Sequence, residues 1–324
     1  MSKVDLIIGG YERGGTTLLS EIFRANGFES GFECGVLLAD EPAKMPETGP
    51  YWEMLLAGWR IEPETRAEAA AGDFDHFYNT LCTAAFPDHT GRFFDKTPRY
   101  MAQLGLCLHR YSAIKSAVII HRDPRAVFLS MATRMLPNIP PAKAVTKKFK
   151  ALTERYLDYF TGCIAHQDAE NVLFVPLEEL VSREDVWMKT LGYFVTGKPF
   201  HKRDGRSRFD NVGKKGMDLE RIMGFESQLP ASLQAEILDA TRLASPFFAD
   251  ATERARYGDT WAEAQHRILA LLAKYERPRS LVLEDGTFFE PFTYLLRYAD
   301  VRRAGRDPVE HYQKSGKREG RLPH

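Results

Sequence analysis

Val4-Asp5-Leu6-Ile7-Ile8-Gly9-Gly10-Tyr11-Glu12-Arg13-Gly14-Gly15-Thr16-Thr17-Leu18-Leu19 decides the fold. The apolar run within Lys3–Gly10 reads as a buried strand that ends in glycines. Leu18, Leu19, Ile22 and Phe23 then recur at the spacing of one helix face. Asn26–Gly27 closes that helix, glycine being the usual residue just past a helix end. The order is therefore strand, glycine-rich turn, helix. Gly10-x-x-x-x-Gly15-Thr16-Thr17 has the spacing of a Walker A loop, with Thr16 where the lysine belongs.

The same unit recurs further along the chain. Ala117–His121 is a short continuous apolar run, the pattern of a strand covered on both faces. Asp123 and Pro124 follow as N-cap and first residue of a helix that carries Val127, Phe128 and Met131 on one face. Asn171–Pro176 reads as a third strand running into an acidic turn at Glu178–Glu179. Ala142–His166, Leu229–Leu243 and Thr260–Tyr275 read as helices. Gly31–Gly91, with Pro42, Pro46, Gly49, Pro50, Trp52 and Trp59, reads as loops and short helices that shape a cleft. Alternating strands and helices imply an α/β fold: a P-loop-type, mainly parallel sheet flanked by helices. Arg277–Pro278–Arg279 reads as a linker, giving a main domain over 1–275 and a small helical module over 276–324. In that module Asp307, Pro308 and Glu310 occupy N-cap, N1 and N3 of a short helix.

Composition limits the function. The 324 residues include 44 Lys+Arg and 44 Asp+Glu, so no net field draws the chain to nucleic acid or acidic lipid. The tail is locally basic, with eight basic and four acidic residues from Arg297 to Arg321. No apolar run approaches the roughly 20 residues of a membrane span. No signal-peptide segment opens the sequence, which points to the cytoplasm. Cys34, Cys82, Cys107 and Cys163 form no CxxC pair, so neither a disulfide scaffold nor a zinc site is expected. No HExxH or EF-hand pattern is present either, and no metal is expected.

The glycine-rich loop is an anion site by its physics. Inward backbone N–H groups, a helix N-terminus and the Thr16 and Thr17 hydroxyls all favour a phosphate. The lysine that neutralises β- and γ-phosphates in triphosphate enzymes is absent, and Arg13 can take its place for a ligand with one 5′-phosphate. Arg122 and Ser130 form a second anion pair at the end of the Ala117–His121 strand and on the helix after it. On these grounds alone an ATP-using P-loop kinase remains an alternative.

Three segments, in order, resemble the PAPS-dependent sulfotransferases (PAPS is 3′-phosphoadenosine 5′-phosphosulfate). Tyr11–Leu19 is similar to the family's loop for the 5′-phosphosulfate, Phe94–Tyr100 to the lysine segment of glycan and tyrosyl sulfotransferases, and His121–Ser130 to its 3′-phosphate site. Asn171–Leu180 also resembles a family segment. The resemblance implies that Arg13, Gly14, Gly15, Thr16 and Thr17 hold the 5′-phosphosulfate. It implies that Lys96 reaches the bridging oxygen, and that Arg122 and Ser130 bind the 3′-phosphate. Arg208, Lys214 and Lys215 are the candidates for the family's later basic segment. Glu33 falls where the tyrosyl enzymes carry their catalytic glutamate, and Pro98 stands where cytosolic enzymes carry a histidine. The catalytic set is thus Lys96, Glu33 and Arg13, with PAPS as co-substrate and PAP (3′-phosphoadenosine 5′-phosphate) as product.

Tyr298–Pro323 resembles a short module of bacterial proteins that make or modify surface glycans. It suggests bacterial origin and a carbohydrate hydroxyl or amine as acceptor, with Tyr51, Trp52, Trp59 and Phe77 as candidates to stack on sugar faces. A non-catalytic glycan- or partner-binding protein with a degenerate transferase domain is a further alternative. The acceptor's identity and the oligomeric state are left open by the sequence.

Overall fold

The computed structural model describes residues 3–166, 169–201, 222–242, 281–298, 300, 301, 304 and 306–324. Five parallel strands form the main sheet: β1 (Val4–Gly10), β2 (Phe28–Glu29), β3 (Arg92–Lys96), β4 (Ser116–His121) and β5 (Val172–Pro176), in the order β2-β3-β1-β4-β5. The expected α/β architecture is present. Val4, Leu6, Ile7 and Ile8 of β1 and Ala117 to Ile120 of β4 are fully buried, as a parallel sheet covered on both faces requires. The chain leaves β1 for one edge of the sheet and returns through β4 towards the other. The carboxyl ends of β1 and β4 therefore flank the switch point where ligands bind in such sheets.

β3 had no clear signature in the sequence. It is five residues long and ends in Asp95–Lys96, and only Phe93 and Phe94 mark it as apolar. Its register sets Lys96 beside Ile8 of β1, two residues before the glycine loop.

The helices follow the expected pattern closely. α1 (Thr16–Ala25) starts on Gly15 and ends at Asn26. Between β2 and β3 lie 3₁₀ turns and α2 (Tyr51–Trp59), α3 (Pro63–Ala70) and α4 (Phe74–Ala85). A 3₁₀ turn over Pro98–Gln103 leads from β3 into α5 (Leu104–Arg110). α6 (Pro124–Met135) is capped by Asp123, whose carboxylate accepts from the Arg125 N–H at 2.8 Å. α7 spans Pro141–Ile164. Glu178 and Glu179, read as an acidic turn, instead open the helix α8 (Leu177–Ser182), and both are buried. The helix read at Leu229–Leu243 runs over Ala231–Ala240. The readings at Thr260–Tyr275 and Arg277–Arg279, and hence the 275/276 boundary, lie outside the described residues.

The C-terminal stretch has the two short helices expected, Pro291–Arg297 and Pro308–His311, the second capped by Asp307. It also has an antiparallel hairpin, β6 (Leu281–Val282) and β7 (Phe288–Phe289). Leu283, Phe289, Tyr294, Val301 and Tyr312 make a small core of its own. This piece rests on α5 and α7. Arg297 pairs with Asp158 at 2.9 Å, and Phe288 stacks on His109 at 4.6 Å between ring centroids. Glu290, fully buried, meets His166 Nε2 at 2.7 Å. Gly105 allows that contact, because a Cβ there would collide with both partners.

Cys34, Cys82, Cys107 and Cys163 are free and buried. Among the described residues no helix is long and apolar enough to cross a membrane, and no cluster of His, Cys, Asp or Glu is placed to hold a metal ion.

Candidate active site

The loop after β1 folds back on itself before α1 begins. The Gly14 N–H donates to Tyr11 O at 2.8 Å, so this amide closes the turn instead of facing a ligand. Arg13 takes φ 68° and Gly15 φ 103°. The left-handed region costs a residue with a Cβ on the order of 1 kcal/mol, and that strain at Arg13 is local to the loop. A side chain at Gly15 would also strike Leu177 of α8. The first N–H groups of α1 have no partners within the helix, and no acidic residue lies in its first turn. Gly15, Thr16, Thr17 and Leu18 thus present a positive helix end to a cavity of about 820 Å³.

The cavity joins what the sequence left as separate segments. Arg13, Gly15, Thr16, Thr17, Glu33, Lys96, Arg122 and Ser130 all line it. Arg13 Nε donates to Ser130 Oγ at 3.2 Å, which ties the glycine loop to α6. Arg122 leaves the end of β4 and its guanidinium donates to Arg13 O at 3.1 Å and to Ile222 O at 2.7 Å. The second bond brings in Ile222, Gly224 and Gln228, which no sequence pattern places here. Arg208, Lys214 and Lys215 lie outside the described residues.

Lys96 and Glu33 meet at the other side of the cavity. Lys96 Nζ donates to Glu33 Oε1 at 3.0 Å and lies 4.5 Å from the ring centroid of Phe32. The lysine side chain is 6% exposed, and burial lowers its pKa while the Glu33 carboxylate opposes that shift. The two residues come from segments 63 positions apart and are held by their neighbours. Thr97 Oγ1 accepts from the N–H groups of Cys34 and Gly35, at 3.1 and 2.9 Å, and donates to Asp95 Oδ1 at 3.0 Å. Asp95 Oδ2 accepts from Tyr78 at 2.8 Å and Tyr100 at 2.6 Å. Burial raises the Asp95 pKa, and these hydroxyl donors resist it. On the other side, the Arg24 guanidinium donates to Ser30 O at 2.9 Å and Gly31 O at 3.2 Å, fixing the turn before Phe32.

Glu12 was not singled out by sequence. Tyr159 of α7 donates to its Oε1 at 2.6 Å, and Arg155 of the same helix pairs with it. One helix turn away, Tyr156 donates to Arg122 O at 3.0 Å. α7 therefore braces the glycine loop through Glu12 and the end of β4 through Arg122. The only sequence hint was the glutamate inside the loop itself; nothing in the α7 pattern marks Arg155. Of the aromatics considered for sugar stacking, Trp59 and Phe77 are core residues and Trp52 lies under Arg66. Tyr51 lines a second cavity with Glu12 and Glu33.

Residues 5–200 match the profile of a family described as the sulfotransferase family. The fold is similar to the sulfotransferase domain of the Synechococcus PCC 7002 olefin synthase, with 18% identity, TM-score 0.48, and 74% of this chain and 93% of that one covered. It is similar to the sulfotransferase domain of the curacin biosynthetic pathway, with 16% identity, TM-score 0.43, and 85% and 99% covered. It is also similar to mouse sulfotransferase SULT7A1 complexed with PAP, with 12% identity, TM-score 0.42, and 83% and 89% covered. No curated protein sequence matches the chain.

Proposed function

Because the chain belongs to the sulfotransferase family, whose donor is PAPS, we propose that it moves the sulfuryl group to a hydroxyl or amine of a carbohydrate acceptor, with each cavity residue in a defined role. The Gly15–Leu18 amides, Thr16 and Thr17 bind the 5′-phosphosulfate at the start of α1. Arg122 and Ser130 bind the 3′-phosphate. Arg13, bonded to Ser130, lies between the two groups and neutralises both. Gly14 shapes the loop.

Transfer breaks the bond from sulfur to the bridging oxygen and forms one from sulfur to the acceptor oxygen or nitrogen. The departing PAP keeps the electron pair. As that charge grows, Lys96 leaves Glu33 and stabilises the bridging oxygen; its lowered pKa favours proton donation there. Glu33, released from Lys96, accepts the acceptor's proton. The observation that carries this reading is the ion pair of buried Lys96 with half-buried Glu33 on the wall of the cavity. A carbohydrate acceptor is supported by the polar second cavity and by the resemblance of Tyr298–Pro323 to modules of glycan-modifying proteins.

Calorimetric titration with PAP, AMP and ATP tests this function. PAP should bind most tightly, and its advantage over AMP should vanish in Arg122→Ala. ATP binding as well as PAP would support the kinase alternative and overturn the sulfotransferase assignment of these residues.

A further inference from the structure

A second cavity, of about 560 Å³, adjoins the first and shares Glu12 and Glu33 with it. Its other walls include Tyr51 of α2, Arg99 and Gln103 of the turn after β3, and Arg155 of α7. If Glu33 takes the acceptor's proton, as proposed above, the rest of the acceptor extends into this space.

The charges of this cavity are unequal in their commitments. Glu12 is paired with Arg155, and Glu33 with Lys96. Arg99 is exposed and, among the described residues, has no ion pair or hydrogen bond. It is nevertheless held in place at its backbone. Thr97 O accepts from the Tyr100 N–H at 3.0 Å, and the Tyr100 hydroxyl is anchored on Asp95 at 2.6 Å. The result is an uncommitted guanidinium on a rigid turn, two residues beyond the network that positions Lys96. A guanidinium fork matches a carboxylate in shape and charge.

We propose that this second cavity is selective for an acidic acceptor, and that Arg99 binds a carboxylate carried beside the accepting hydroxyl. The inference rests on the sulfotransferase reading of Glu33 and Lys96. It goes beyond that reading in naming an acidic sugar as the substrate class and Arg99 as the residue that selects it.

The test uses 4-nitrophenyl β-D-glucuronide and 4-nitrophenyl β-D-glucoside, which differ only at C6, a carboxylate in the first and a hydroxymethyl group in the second. Each is titrated calorimetrically into the full chain saturated with PAP. The glucuronide should bind about tenfold or more tightly than the glucoside, the usual scale of a charge-assisted hydrogen bond. Arg99→Gln should bring the two within about twofold of each other, Arg99→Lys should keep part of the preference, and both variants should bind PAP like the wild type. Equal binding of the two glycosides, a preference that survives Arg99→Gln, or binding of neither to a protein that binds PAP would each overturn the proposal. Failure of the preceding PAP saturation would instead overturn the nucleotide reading beneath it.

Discussion

The two sides of the nucleotide cavity are built differently. The side formed by Thr16, Thr17, Arg122 and Ser130 grows from the regular frame, where central strands end and helices begin. The side formed by Lys96 and Glu33 depends on an irregular segment, fixed by the Thr97–Asp95 hydrogen bonds and by Arg24. The first side can bind an anion by secondary structure alone. The second needs a buried network to keep an acid and a base in contact. With the roles proposed above, donor binding and transfer are separable in this molecule, and substitutions on the two sides should show it.

The largest effect short of losing the lysine should come from Glu33→Gln. Loss of a positioned base costs about 10²- to 10⁴-fold in rate, so kcat in a PAP-release assay should fall by that order with PAP affinity nearly unchanged. A parallel loss of PAP affinity would merge the two sides. Arg122→Ala should do the reverse. Removing one charge-assisted contact to the 3′-phosphate should weaken PAP by about 10- to 100-fold, with a smaller change in kcat at saturating PAPS. Calorimetry and steady-state kinetics on the same preparation would show whether the effect lies in binding.

Thr97→Val probes the Lys96–Glu33 side indirectly, since Thr97 does not line the cavity. It leaves the buried Cys34 and Gly35 N–H groups without their acceptor, at a cost of about 1–3 kcal/mol for an unsatisfied group. Thermal unfolding should show that loss, and kcat should fall about tenfold through a looser Glu33. A fully active Thr97→Val would mean that the network does not position the pair.

The smallest effect lies behind the Arg122 side. Glu178 is buried, and burial next to Asp123 raises its pKa to about 7. The folded chain therefore holds a proton that the unfolded chain has released between about pH 4.5 and about pH 7. Stability from this group is full below that window and is lost as pH rises through it, by up to roughly 3 kcal/mol. Glu178→Gln keeps an acceptor for the Asp123 N–H, which now bonds Glu178 Oε1 at 3.0 Å. The variant should melt higher than the wild type at pH 8 and similarly at pH 4. Equal melting temperatures at pH 8 would refute the shift.

The same contrast governs what the sequence made legible. β1, α1, β4, α6 and β5 were readable because each buries a continuous apolar run or carries a cap at a fixed offset. Arg13, Thr16, Arg122 and Ser130 inherit their places from those elements. β3 was hidden because its last two residues are charged, and its strand character comes from pairing with β1. The contact of Glu33 with Lys96 was not readable, because it depends on packing across an irregular insertion. Glu12, Arg155 and Tyr159 were missed for a related reason: α7 looks like any amphipathic helix until its far partner is known. Trp59 and Phe77 fill the core instead of facing a sugar, a difference that composition does not encode.

The decisive variant is Lys96→Ala, with PAP affinity and PAPS turnover measured on one preparation. Turnover should fall about a thousandfold or more, the scale on which charge stabilisation in a transition state acts, with PAP affinity within about threefold of the wild type. Turnover that survives the substitution, or PAP affinity that falls along with it, would contradict the division of labour between the two sides of the cavity.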